Sequence, residues 1–318
     1  GSPYRAVTTP EHKIQDSPGP DPAGRRTSLS RRGSRLLKED TGVIAAEVTQ
    51  GDVSRTIKIK RAVILAAGGA PHDMVQRKTQ MPHVANFEHY SMSPEANTGD
   101  TLSAAQNIGA QKGKDNLNPA FWTPVSRLKI QKGGTVAFPH LFLDRAKPGV
   151  IAVTDKGERF VNESASYHDF VSGMLEAIQV DAKRFYLICD HRFIRRYGLG
   201  AVRPFPGRIT PFIQNGYLTR AATPEALAEA IDIPVANFKD TLLRYNADAK
   251  LGKDIAFGKG STAYNRYPGD PEQEPNPCLR AITDGPFYAL RIHSGDIGTA
   301  TEILTDYTVT LARLKFGN

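Results

Sequence analysis

The stretch "RAVILAAGGA", residues 61–70, decides how the chain is read. An apolar, β-branched run passes into Ala66 and Ala67, stops on Gly68 and Gly69, and is followed by Pro71 and His72. A continuous apolar run bounded by glycine is the pattern of a strand covered on both faces. Two glycines at its end have two physical uses. They make a tight turn, or they keep side chains away from something lying against the backbone. There, N–H groups free of a Cβ neighbour can point at a negatively charged or carbonyl-bearing ligand.

Upstream, "GVIAAEV" (42–48) and "SRTIKIKRAVIL" (54–65) flank the polar turn Gln50-Gly51-Asp52 and predict a hairpin. Thr56, Lys58 and Lys60 alternate with Ile57, Ile59 and Arg61, a half-buried pattern leading into the fully apolar run. Downstream, "GDTLSAAQNIGA" (99–110) predicts a helix with Leu102, Ala105 and Ile108 on one stripe and Gly109 at its stop. In "NTGD" (97–100), Asn97, Thr98 or Asp100 can cap that helix.

From about residue 113 the character changes: loops lengthen, and Phe121, Trp122, Phe138, His140 and Phe142 scatter through them. "GVIAVTDKGERFVNE" (149–163) predicts two short strands around Asp155-Lys156-Gly157, and "RFYLICD" (184–190) another strand. "TPEALAEAIDI" (223–233) reads as a helix capped by Thr223 with Pro224 at its first position. "PVANFKDTLLRYNADAK" (234–250) is a second, with Phe238, Leu242 and Tyr245 along one side; the pair reads as a small helical subdomain. "FGKGSTAYNRYPGDPEQEPNP" (257–277) is a long polar loop, and "PFYALRIH" (286–293) returns to strand.

The chain has 318 residues, 40% hydrophobic and 8% aromatic, enough for a sizeable core in one large or two smaller domains. Its longest apolar run falls far short of the ~20 residues of a membrane helix, and the N-terminus has no apolar signal region. Cys189 and Cys278 form no metal or disulfide pattern; isolated cysteines fit a structural role in a reducing cytoplasm. The net charge of +8 owes part to "GRRTSLSRRGSR" (24–35). No aromatic residues interleave there for base stacking, so a solvated tail fits better than nucleic-acid binding. Residues 1–28, broken by Pro3, Pro10, Pro18, Pro20 and Pro22, read as poorly ordered.

Taken in order, "AVILAAGG", "NTGDTLSAAQNIGA", "KGERFVNESASYHDF", "ICDHRFIRRYGLG", the 257–277 loop and "GPFYALRIHSGDIGTATEILTD" give the sequence a resemblance. It resembles the FAD-dependent oxidoreductases of the 3-ketosteroid dehydrogenase and fumarate reductase/succinate dehydrogenase flavoprotein family, over about residues 35–310. The fold class the resemblance implies is α+β or α/β, a partial, Rossmann-like FAD-binding domain interrupted by a fumarate-reductase-like capping, catalytic domain. By analogy residues 29–112 and 286–318 belong to the flavin domain and 113–285 to the cap. The family's opening GxGxxG turn is not found in these 318 residues, and its glycine-rich flavin-closing segment lies beyond the "TD" at 305–306. The expectation is a chain that looks like the interior of a family member.

The resemblance places FAD beside Ala66, Ala67, Gly68 and Gly69, and beside Thr98, Gly99 and Asp100. It sets "RFVNESASYHDF" (159–170) at the flavin-facing edge of the cap, where the acid matching Glu163 relays protons in the fumarate reductases; the alternative is a polar loop with an internal ion pair. It offers Arg195, Arg196 and Tyr197 as the groups that exchange a proton with substrate, with the register left open. The fumarate reductases bind a substrate carboxylate with histidine near the place of Ile297-Gly298, so "GDIGT" sides with the ketosteroid branch, and His293 is structural or peripheral. The implied reaction is dehydrogenation of a C–C bond next to a carbonyl, on a 3-oxosteroid or similar cyclic ketone. Fumarate-type reduction and a truncated, non-catalytic fragment are the alternatives.

Overall fold

The computed structural model describes residues 35–40, 42–50, 52–113, 116–130, 133–141, 143–300 and 303–305. The tail expected over 1–28, Phe142, and the 306–318 part of the expected flavin domain lie outside the described residues. The chain divides into two compact units, Gly1–Ile64 and Leu65–Asn318.

In the first unit β1 (Arg35–Glu39), β2 (Gly42–Gln50) and β3 (Val53–Lys58) form an antiparallel meander in that order. The hairpin between β2 and β3 is the one the sequence predicts, with Gln50 opposite Val53. The half-buried pattern is not realised: every residue of β3 is exposed. The predicted buried strand after it does not form either. Residues 62–66 have no regular structure, Ile64 is 83% exposed, and Ala66 and Ala67 are exposed. Apolar composition alone does not make a covered strand. The ladder needs neighbours, and no described strand pairs with this segment.

The second unit runs α1 (Met74–Gln80), β4 (His89–Ser91), α2 (Asp100–Gln106), β5 (Ala120–Trp122), β6 (Val125–Lys129), β7 (Thr135–Pro139), β8 (Val150–Thr154), α3 (Tyr167–Gln179), β9 (Phe185–Asp190), α4 (His191–Tyr197), α5 (Thr210–Gln214), β10 (Thr219–Ala221), α6 (Pro224–Ala230), α7 (Val235–Leu251), α8 (Ala263–Arg266), β11 (Phe287–Ile292) and β12 (Ser294–Thr299). Its centre is a four-stranded antiparallel sheet ordered β10-β11-β9-β8. Strand alternation sorts its side chains. Val150, Ala152, Leu187, Cys189, Tyr288 and Leu290 share a core with Phe170, Val171 and Met174 of α3. Ile151, Val153, Tyr186, Ile188, Phe287 and Ala289 share the other with Leu227 of α6 and Phe238, Leu242 and Tyr245 of α7. The sheet is therefore covered on both faces, each large apolar side chain contributing about 1.5–3 kcal/mol by burial. A second sheet, β4-β12-β5, pairs β12 parallel to β4 and antiparallel to β5, and β6 with β7 forms a separate hairpin.

Helices α6 and α7 form as read: Thr223 accepts the Ala226 N–H at 3.2 Å, and Pro224 takes the first turn. They are one layer of this domain rather than a subdomain, because their stripes share the core of β8 and β9. Of the two strands expected around 155–157 only β8 forms; the second survives as a lone Val153–Arg159 bridge. The 257–277 loop holds α8 and buries Lys259, Asn265, Asp270 and Asn276. Among the described residues no helix is long and apolar enough to cross a membrane. Cys189 and Cys278 are buried and unpaired with each other.

Candidate active site

The glycines that end the apolar run sit where three segments meet. Ala70 N–H donates to Thr299 Oγ1 (3.1 Å), at the end of β12, and His72 N–H donates to the Asn97 carbonyl (3.1 Å). Gly68 adopts φ +80°, and a Cβ there would come within 2.8 Å of the Asn97 amide; one on Gly69 would run into the Thr299 hydroxyl. Gly99, at φ +78°, would bring a Cβ to 2.7 Å from that of Ala70. The chain's own Asn97, Thr299 and Ala70 thus fill the space the missing side chains leave. None of Asn97, Thr98 and Asp100 caps α2; its N-cap is Gly99 without a side-chain bond, and Thr98 Oγ1 donates instead to Asp100 Oδ1 (3.0 Å). The polar groups that meet the glycines are backbone N–H, amide and hydroxyl, and Asp73 and the Lys112 ammonium lie one hydrogen bond further out, on Gln76. Such a donor set suits the edge of an isoalloxazine ring.

Beside this junction lies a histidine network that the sequence reading did not single out. Buried Asp296 accepts from Ser91 Oγ (2.7 Å) and bonds His89 Nε2 (2.9 Å), while His89 Nδ1 meets His83 Nε2 (3.0 Å). Ser93 N–H donates to Ser91 Oγ, and His72 Nε2 donates to the Ser93 carbonyl (3.0 Å). Burial first, then His89 and Arg77, push His83 down to about 4, so it is neutral at physiological pH.

The second cluster stands at the end of α4. Asp190 caps that helix through the Phe193 N–H (2.9 Å) and is clamped by Arg280 (2.6 and 3.0 Å). The Tyr197 hydroxyl donates to Asp270. Arg196 pairs with Asp270 (2.9 Å) and Glu272 (2.6 Å). Arg195 turns away to the Pro206 carbonyl (3.0 Å). Lys147 donates to the Gly269 carbonyl (2.7 Å), its ammonium 5.9 Å from the Tyr197 ring centre. Lys147, Arg192, Arg195, Arg196, Tyr197, Phe205, Asp270 and Glu272 line an open depression of about 670 Å³. Burial first, then the Asp270 carboxylate, push the Tyr197 hydroxyl well above its ordinary range. Burial tends to raise Asp270, but the Tyr197 hydroxyl, the Glu272 N–H and Arg196 outweigh it and pull the acid down. At neutral pH a protonated phenol is therefore held against an ionised carboxylate.

Glu163 belongs to a third cluster. It is fully buried, with Oε1 taken by the Ala152 N–H (2.9 Å) and Arg159 Nε (2.9 Å), and Oε2 by Arg159 Nη2 (2.8 Å). Arg159 also grips Asp254 (2.8 and 2.9 Å), and buried Lys259 lies 3.7 Å from Glu163. Here the internal ion pair is present, and it is charge-balanced. The sequence-predicted site residues thus fall into three separate hydrogen-bonded clusters: the glycine junction, Tyr197 with Arg196, and Glu163. His293 pairs with Glu88 (3.0 Å) at a rim apart from them. Asp270 and Lys147 went unnoticed because no local pattern links Tyr197 to an acid 73 positions away.

The chain is 36% identical over 287 residues to 4-oxocyclohex-2-ene-1-carboxylate 5-dehydrogenase of Sinomonas cyclohexanicum, covering 89% of this chain and 48% of that protein. It is 32% identical over 289 residues to 3-oxosteroid 1-dehydrogenase of Mycolicibacterium smegmatis, covering 88% and 48%. The chain therefore spans about half the length of these curated relatives. Among solved structures, the 3-ketosteroid Δ1-dehydrogenase of Sterolibacterium denitrificans, in complex with 1,4-androstadiene-3,17-dione, superposes with a TM-score of 0.78 at 31% identity, covering 90% of this chain and 50% of that one. A flavocytochrome c3 fumarate reductase in its open conformation shares the fold, with a TM-score of 0.58 at 20% identity, covering 89% and 44%. The mixed α/β architecture is thus that of the FAD-dependent oxidoreductases. The family described as FAD binding domain matches residues 25–313, and the chain belongs to it.

Proposed function

We propose that these residues serve an FAD-dependent dehydrogenase that desaturates the C–C bond next to the carbonyl of a cyclic ketone, either a 3-oxosteroid or a smaller oxocyclohexane. FAD, when bound, supplies the hydride acceptor. Tyr197 and Asp270 handle the proton: the phenol faces the substrate carbon, and the carboxylate behind it takes up the proton that the phenol passes on. Arg196 keeps Asp270 ionised. Arg192 and Lys147 line the same depression and suit a ring ketone that also carries a carboxylate, the kind of substrate named for the Sinomonas relative. Arg195 is the reserve candidate for the proton step. Ala66, Ala67, Gly68, Gly69, Thr98, Gly99 and Asp100 face the flavin ring, Glu163 anchors the cap through Arg159, and residues 113–285 form that cap between flavin-domain segments 29–112 and 286–318. Two buried free thiols fit a reducing cytoplasm.

The observation that carries this reading is the Tyr197–Asp270 hydrogen bond at the edge of an open depression. Ile297 and Gly298 bring no cation for a dicarboxylate, which favours a ketone over fumarate. The test exchanges residues 35–305 into the corresponding segment of the Mycolicibacterium 3-oxosteroid 1-dehydrogenase. The flavin-loaded hybrid is then assayed by dye reduction on a 3-oxosteroid and on 4-oxocyclohexanecarboxylate, and by fumarate reduction. Ketone oxidation without fumarate reduction is expected; efficient fumarate reduction with no ketone activity rules the reading out.

A further inference from the structure

Four side chains outside the three clusters form a buried series. Tyr217, Ser126, His140 and Asp144 are between 0% and 7% exposed. Tyr217 and Ser126 hydroxyls are 2.7 Å apart, Ser126 Oγ is 2.8 Å from His140 Nε2, and His140 Nδ1 is 2.6 Å from Asp144 Oδ2. Both ends return to successive backbone N–H groups: Gly200 N–H donates to Asp144 Oδ2 (3.1 Å), and Ala201 N–H donates to the Tyr217 hydroxyl (2.9 Å).

The ends fix the direction of every link. A backbone N–H only donates, so the Tyr217 oxygen accepts from Ala201 and gives its proton to Ser126. Ser126 then gives its proton to His140 Nε2, which must be bare. His140 donates from Nδ1 to a carboxylate that only accepts. The result is a one-way series of hydrogen bonds from the Ala201 N–H to Asp144, tied off by the Gly200 N–H, which also donates to Asp144; polar networks in which every member is satisfied are the stable ones. Gly200 fits only without a side chain: a Cβ there would strike the Tyr217 hydroxyl and come to 3.0 Å from His140 Cε1.

The series grips the loop that follows α4. Leu199 and Val202 exchange backbone bonds (2.8 and 3.0 Å), Gly198 N–H closes the last turn of α4 on Ile194 (3.1 Å), and Phe205 N–H returns to the Arg195 carbonyl (2.7 Å). We infer that the Tyr217–Ser126–His140–Asp144 series is a positioning device that fixes the 198–202 loop and, through it, the Tyr197 end of α4. The meaning of this for catalysis rests on the role proposed for Tyr197; the series itself does not.

A proton added to His140 Nε2 breaks the one-way order. Ser126 must then turn and donate to Tyr217, whose own proton has no acceptor left, because Ala201 N–H holds the other side of the oxygen. The groups that face His140 are Asp144 and Arg145 from its own loop, Ser126 from β6, Tyr217 and Gly200; the Arg145 guanidinium donates to the His140 carbonyl (2.8 Å).

The test needs no flavin. In the unaltered chain, ¹⁵N-histidine NMR is expected to show His140 protonated at Nδ1 and bare at Nε2 at neutral pH. Hydrogen exchange is expected to show the Ala201 and Gly198 amides protected, after correction for intrinsic rates. Tyr217→Phe removes the hydroxyl that accepts from Ala201 and donates to Ser126. It should speed Ala201 exchange by about tenfold, speed Gly198 and leave α7 unchanged. An Nε2–H tautomer at neutral pH, or an unchanged Ala201 rate in Tyr217→Phe, overturns the inference. If that variant does not fold, the tautomer and the protection of the Ala201 amide in the unaltered chain decide it.

Discussion

The Tyr197 hydroxyl donates to Asp270, which Arg196 and the Glu272 N–H hold in its ionised form. In the flavin-loaded hybrid, Tyr197→Phe should lower kcat by about 100-fold or more, the usual scale for a positioned proton-transfer group, with the flavin spectrum unchanged. Asp270→Asn should lower kcat less and let Tyr197 ionise at a lower pH, read from tyrosinate absorbance. An unchanged rate in Tyr197→Phe would remove that residue and leave Arg195 or Arg196.

Acid should destabilise the chain in two stages. His83 and His293 each have their value lowered to about 4 by burial, against 6.5 for an ordinary histidine. The unfolded chain takes up these protons first, so stability falls as pH drops from about 6.5 to about 4. Asp144 follows. Burial alone would raise it, but His140, Arg145 and the Gly200 N–H bring it to about 2 from 3.8, so its contribution is lost as pH falls from 3.8 to 2. Urea midpoints measured against pH should show both stages, and His83→Gln should flatten the first. A level profile between pH 7 and 4 would contradict the first stage.

Glu163→Gln should behave as a stability mutation. It leaves Arg159 and Lys259 facing one carboxylate instead of two, in a largely buried site. Breaking a buried ion network in this way costs about 3–5 kcal/mol, read as a fall in Tm. Wild-type stability in Glu163→Gln would show that the cluster does not hold the cap together.

What the sequence made legible was local. Thr223-Pro224 and the spacing of Phe238, Leu242 and Tyr245 placed α6 and α7 because caps and stripes are written within a few residues. "AVILAA" misled because burial depends on partner strands that no local pattern names. Gly68 and Gly69 read as points of close approach, and the side chains of Asn97 and Thr299, far away in sequence or across a turn, are what an added Cβ there would meet. The Tyr197–Asp270 bond spans 73 positions and the Ser126–Tyr217 bond 91. Polar partners that far apart meet only once the sheet and its helices are in place.

The measurement that tests the account most directly is flavin retention. The glycine junction offers backbone, amide and hydroxyl donors that suit a flavin ring edge, and no GxGxxG turn for a diphosphate occurs in these 318 residues. Excess FAD is added to the chain and to the hybrid, which carries the relative's own flanking segments; both are desalted, and the visible spectrum is read. The account predicts a colourless chain and a yellow hybrid with close to one flavin per polypeptide. A chain that alone keeps near-stoichiometric FAD, or a folded hybrid that keeps none, would contradict it.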